Sequence, residues 1–366
     1  MTINEFLNSD DFIESIAPLK DIFASNDSNT NVEVLGYLVG KSLSYAALLE
    51  DQDNQQNIDG IKSFIYSISS AIADNKPSLN NLDSNLSLND YAYFLMRVDV
   101  VSKIITDYTM SDEDITMEVN KYVFKRMQGN DFKYHAFNSA NEESIREHGI
   151  NPNMLSAPQA DIDRINSIFE NYGINNLFGW QKINCEKKVS YSMDPTVSYH
   201  YGVASPEWFS QFTGGATCFS SEDNKYNRTA YYEGNYELAR NNLIMLMEEK
   251  NFKVEDINET LEFFDENWKK YVNKNPIVAI IKEPIDPELT KNIFKKIVLT
   301  DDQYIKNEGA IFNSFMTTPF GVDMHSDEPI STKNATFIML PNYKQTMERV
   351  ANFEKKTSID KNASKR

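Results

Sequence analysis

Apolar residues recur at three- and four-residue spacing through the first third of the chain, a pattern that predicts helices. Phe6, Phe12, Ile13, Ile16, Leu19 and Phe23 line one face, with a kink or interruption expected at Pro18, which cannot donate to a helical ladder. Val34, Leu35, Leu38, Val39, Leu43 and Ala46 mark a second helix. Ile61, Phe64, Ile65, Ile68 and Ile72 mark a third, closed by the breaker at 75–77. A fourth is expected to begin after Ser87, with Asp90 as an alternative cap, and to run through Leu95, Val98, Val101 and Ile105. A fifth opens at Ser111, where Ser-Asp-Glu-Asp resembles a capping box, and ends near Gly129.

Beyond Gly129 the pattern changes to short strand-like runs at 132–137, 189–193, 277–281, 296–300, 310–315 and 336–340. Helical stretches are expected between them at 142–148, 161–172, 236–250 and 254–271, and Gly214-Gly215 reads as a pair in a loop. Strands interleaved with helices, without regular βαβ spacing, predict an α+β fold behind an N-terminal all-helical bundle. The expected division is a helical domain at 1–128, an α+β domain at 129–350 and a polar tail at 351–366 that frays.

Composition narrows the function. The 366 residues are 41% hydrophobic, enough for a core, and the length suggests two domains. A net charge of −18 repels phosphate backbones and anionic lipid, yet leaves room for a small basic pocket around an anionic cofactor. The helical half holds 20 acidic and 9 basic residues, read as a solvated outer face. Two cysteines, Cys185 and Cys218, make no disulfide framework, and the four histidines form no ligand cluster, so no metal is expected. No apolar run approaches the roughly 20 residues of a membrane span. The acidic N-terminus lacks a signal-peptide pattern, so a cytoplasmic protein is expected, with signal-less export left open. The glycine-rich signatures of dinucleotide folds and P-loops are missing, as is the nucleophile elbow of α/β-hydrolases.

One constellation carries a chemical signal. Lys133-Tyr134-His135-Ala136-Phe137 reads as a strand with a central histidine, followed by a short helix that ends at His148-Gly149-Ile150. Downstream, Val189-Ser190-Tyr191-Ser192 is a second short strand. Asp194-Pro195 then starts a helix carrying Tyr199, His200 and Tyr201, which the Ser205–Phe209 segment continues. In that order the two motifs resemble the ADP-ribosyltransferase-like superfamily, in its branch with a histidine–tyrosine–glutamate triad. The resemblance spans roughly 132–343, is patchy between the motifs and does not reach the helical half.

That resemblance implies a split β-sheet domain that uses NAD as substrate without a metal. It implies that His135 binds the ribose, that Tyr191 and Tyr201 flank the nicotinamide, and that Ser192 follows the tyrosine as a small hydroxyl residue. A late carboxylate completes the set. Glu328 fits best, although Pro329 beside it departs from the pattern because proline removes a ladder donor; Glu308 is the substitute. The chemistry suits these residue types. Breaking the bond to nicotinamide passes through an oxocarbenium-like state that a carboxylate stabilises, an imidazole can hold a ribose hydroxyl, and flat rings fix the nicotinamide.

The acidic chain favours a protein acceptor over nucleic acid, as in a bacterial toxin or effector that transfers ADP-ribose. Three alternatives stay open: a catalytically inactive interaction module on the same scaffold, an NAD glycohydrolase, and an RNA 2′-phosphotransferase-like enzyme. Taken singly, each residue named also has an ordinary structural role open to it, His135 as a satisfied strand residue and the tyrosines as packing.

Overall fold

The computed structural model describes residues 1–47, 55–74, 132–151, 159–175, 177–178, 189–191, 195–220, 228–282, 324–326 and 328–363. The expected fourth and fifth helices, the strands at 296–300 and 310–315, and the expected boundary at 128/129 lie outside them. The described residues are mostly helical and carry a small three-stranded antiparallel sheet.

The N-terminal helices are α1 (Ile3–Leu7), α2 (Asp10–Ile16), α3 (Lys20–Ser25), α4 (Ser28–Ala47) and α5 (Gln55–Asp74). A capping box of Thr2 and Glu5 starts α1, and the Ser9 hydroxyl caps α2. The expected break at Pro18 is a 3-10 turn, Ala17–Leu19, between α2 and α3. Strand β1 (Phe132–Asn138) leads into α6 (Glu142–His148) and α7 (Gln159–Glu170). Next come β2 (Val189–Tyr191), α8 (Pro195–Val203), α9 (Glu207–Ser220), α10 (Thr229–Tyr232), α11 (Tyr236–Glu249) and α12 (Val254–Tyr271). Strands β3 (Pro276–Lys282), β4 (Met324–Ser326) and β5 (Thr336–Met339) precede the closing helix α13 (Tyr343–Ala363).

Three expectations need correcting. Gly214-Gly215 lies inside α9 rather than in a loop: a Cβ on Gly215 would stand 2.8 Å from the Leu177 carbonyl oxygen, so close packing against Leu177 explains a residue that otherwise weakens a helix. The Ser205–Phe209 segment does not continue α8; α8 ends at Val203 and α9 begins at Glu207. The expected tail at 351–366 is helical as far as Ala363, because Tyr343, Met347 and Val350 repeat at helical spacing into the core and Arg349 pairs with Asp10 at 3.0 Å.

Strand order in the larger sheet is β1-β3-β5, with His135 opposite Ala279 and Ala279 opposite Phe337. Strands β2 and β4 form a separate two-stranded sheet beside β1. Side chains alternate across a strand, so the larger sheet has two unlike faces. Tyr134, Val278 and Ile338 point into the main core, and α8 packs there with Gly202 against Ala136 and Pro276. Lys133, His135, Phe137, Ala279 and Phe337 share the other face.

That main core is continuous across the chain. It joins Phe6, Ile16, Leu35 and Ile65 from the N-terminal helices to Tyr199, Phe209, Phe264 and Val350. Helix α4 lies along α8. The outer edge of β5 is covered from the N-terminus: Asn8 Nδ2 donates to the Met339 carbonyl at 2.9 Å, and Met339 N donates to Asn4 Oδ1 at 2.9 Å. Buried Asn138 ties the end of β1 down, its Nδ2 donating to the carbonyls of Ser205 (3.0 Å) and Tyr271 (2.8 Å).

Candidate functional site

Strand alternation puts His135 on the face turned away from α8, and its ring stacks on Phe137 with centroids 6.0 Å apart and planes 23° apart. The residue opposite is Ala279, itself buried in a small apolar cluster with Phe137 and Ile277. Two residues earlier, about 7 Å along the strand, Lys133 projects to the same face. Its ammonium stands 5.0 Å from the centroid of the Tyr191 ring on β2. His135 and Tyr191, far apart in sequence, therefore reach one side of the sheet.

A small apolar cluster separate from the main core fixes this arrangement. It joins Ile150, Val189, Tyr191, Ile281 and Ile330. Helix α6 lies over the same face: Ile145 packs against the cluster, and the Arg146 guanidinium sits 3.9 Å over the Phe337 ring while pairing with Glu142 at 2.7 Å. Two cations thus gather on one face of a strongly acidic chain.

The turn after α6 brings the late carboxylate segment in. Ile150 and Ile330 exchange both backbone hydrogen bonds at 2.9 Å, and Thr332 Oγ1 donates to the Ile145 carbonyl at 2.8 Å. Gly149 permits this approach. Its φ is +73°, and a Cβ there would lie 2.6 Å from the Ile330 carbonyl oxygen. We expect Gly149→Ala to destabilise the protein by about 2–3 kcal/mol, from the left-handed backbone and the clash together. Gly173, at φ +78° with nothing within 4 Å of its Cβ position, isolates the backbone part, and Gly173→Ala should cost only about 1 kcal/mol. Urea midpoints of the two variants check this; equal losses would mean that the contact with Ile330 is soft.

Glu328 is exposed, two residues beyond β4, whose Met324 lies opposite Tyr191. Pro329 belongs to no strand, so its missing N–H removes no ladder bond. Tyr201 is 37% exposed and rides on α8, the helix packed against the sheet face opposite His135. The face that gathers His135 and Tyr191 is thus not the one on which the Tyr201 helix packs. Ser192 and Glu308 lie outside the described residues. Among the described residues no group of three or more His, Cys, Asp or Glu could hold a metal ion, and no helix is long and apolar enough to cross a membrane.

Sequence reasoning quoted Lys133 without giving it a role and did not name Arg146. For Lys133 the signal was available, since the period of two that faces His135 outward also places Lys133 beside it. For Arg146 it was not, because its contact with Phe337 depends on how α6 folds back. Compared with family models, with curated proteins and with solved structures, the chain matches none.

Proposed function

We propose that the chain is an NAD-consuming ADP-ribosyltransferase that moves ADP-ribose to a protein acceptor, on a split-sheet domain of the ADP-ribosyltransferase-like kind. The observation that carries this reading is the meeting of three distant segments on one face: β1 with His135, β2 with Tyr191, and the stretch after β4 that holds Glu328 and is bridged to Ile150. In this reading the His135 imidazole holds a ribose hydroxyl, Tyr191 supplies a flat face for the nicotinamide ring, and Lys133 offsets part of the repulsion between a dinucleotide and a chain of net charge −18. Glu328 is the carboxylate assigned to the developing oxocarbenium charge. The N-terminal helices grip α8 through α4 and would orient the acceptor.

The test is incubation of the full chain with NAD labelled in its adenylate part, with and without a cell lysate. Release of nicotinamide together with labelled protein bands is the expected result. His135→Ala should slow turnover about 100-fold if the imidazole acts by positioning, with its melting temperature little changed. The absence of both nicotinamide release and a rise in melting temperature in millimolar NAD would sink the reading. Nicotinamide release without labelled bands would reduce it to NAD hydrolysis.

A second reading, an interaction module without chemistry, is favoured by the position of Glu328. That carboxylate is exposed past the end of β4, and solvent weakens any charge it could stabilise.

A further inference from the structure

We propose that α1 stands in for a neighbouring strand, its two asparagines keeping β5 from pairing edge to edge with β5 of a second copy of this chain. This surface takes no part in the proposed chemistry, and its pairing does not depend on it. Among the described residues β5 is the outer strand of its sheet. Leu340 N donates to the Pro276 carbonyl at 2.8 Å and Ile338 lies opposite Val278, so these two residues turn their backbone N–H and C=O groups toward β3. Phe337 and Met339 therefore turn theirs to the outer edge. At Met339 both are taken by side chains of one short helix. Asn4 Oδ1 accepts its N–H and Asn8 Nδ2 donates to its carbonyl, each at 2.9 Å. One acceptor and one donor for a single residue are what the next strand of an antiparallel ladder supplies. Asparagines four apart share one side of a helix, so α1 and its C-cap present the pair together. Ile3, Phe6 and Leu7 hold the helix in the main core, and Arg349 of α13 donates to the Asn8 carbonyl at 3.2 Å.

The covered strand is of a kind that invites a partner. Ala335-Thr336-Phe337-Ile338-Met339-Leu340 has no charge, no proline and no glycine, the composition of segments that pair with their own copies. The same segment of a second chain is the occupant that suits it, because antiparallel pairing of a strand with itself closes about a two-fold axis into a dimer. The net charge of −18 opposes that approach. In about 0.15 M salt, however, charges more than roughly 8 Å apart are screened, and the segment brings none of its own to the contact.

Sedimentation equilibrium of the full chain, from about one to several hundred micromolar, tests this. The wild type should keep one oligomeric state throughout. Asn4→Ala with Asn8→Ala removes both amides and keeps the helix and its buried side chains. Asn4→Gly with Asn8→Gly removes them and loosens the helix as well. Both pairs should move toward twice the wild-type mass, the glycine pair at a concentration at least about fivefold lower, as a glycine within a helix implies. Adding Met339→Lys puts a charge on the edge and should reverse the association. Far-ultraviolet circular dichroism and melting temperature identify the variants that fold, and if the glycine pair does not, the alanine pair decides. A folded alanine pair that keeps the wild-type mass at every concentration overturns the inference. So does association that Met339→Lys leaves unchanged, which would place the contact on another surface.

Discussion

Phe209→Ala is expected to cost about 3–5 kcal/mol of folding free energy. Phe209 is fully buried, and five aromatic rings surround it: Trp208, Phe212, Tyr231, Phe264 and Tyr271, with centroids 5.4 to 6.4 Å away. These rings sit on three helices, α9 itself, α10 and α12, and Tyr231 is also held through its hydroxyl, which donates to the Ser205 carbonyl at 2.8 Å. Neighbours pinned in this way relax little into the space that a phenyl group leaves, which puts the cost in the upper range for such truncations. Phe64→Ala on α5 is the contrast, because Phe64 is 36% exposed and should cost about 0.5 kcal/mol or less. Urea unfolding followed by tryptophan fluorescence measures both. The main core joins N-terminal helices to α8, α9 and α12, so fluorescence and far-ultraviolet circular dichroism should give one coincident transition, displaced to lower urea in Phe209→Ala. A fluorescence transition that moves while a large helical signal stays behind would show that the N-terminal helices unfold by themselves, as the expected division at 128/129 requires.

How much of this was legible in the chain depends on the range of the signal. Helices with a full apolar stripe were readable: the residues chosen for α4 and α5 lie inside the observed bounds, 254–271 and 142–148 coincide with α12 and α6, and 236–250 overruns α11 by one residue. The Pro18 interruption was legible because proline acts locally. Strand β4 was not. It has three residues, and pairing with Val189–Tyr191 defines it, so no local alternation announces it. The helical placement of Gly214-Gly215 was hidden for a similar reason, since the approach to Leu177 that favours glycine is a tertiary fact.

For the candidate site, the motifs led to His135 and Tyr191 without showing that strand alternation and the β1–β2 neighbourhood would turn them to the same face. The same alternation sends Gly202, and the helix carrying Tyr201, to the opposite one. Periodicity identifies which residues share a face of one element, whereas the pairing of faces between elements is decided by packing.

The second large effect is expected from acid, at His200. This histidine lies on α8, with Tyr201 on one side and Tyr232 on the other at ring separations of 5.7 and 6.5 Å, and Arg228 close enough to disfavour a second positive charge. The residue is half-buried, and its Nδ1 is shut off from solvent and meets no hydrogen-bond partner among the described residues. Burial first, and Arg228 second, lower its pKa from 6.5 to about 4. A histidine whose folded pKa lies below its unfolded value binds fewer protons when native, so the unfolded chain gains as the pH falls. The destabilisation begins near pH 6.5, reaches about 2 kcal/mol by pH 5 and levels off below pH 4. Carboxylates also titrate toward the lower end of this window, so the diagnostic quantity is the difference between the wild type and His200→Gln. The glutamine carries no titrating group, and its loss between pH 7.5 and pH 5 should be smaller by about 2 kcal/mol in urea midpoints converted at a common m-value. Parallel pH profiles for the two proteins would mean that His200 accepts its proton in the folded state at no cost.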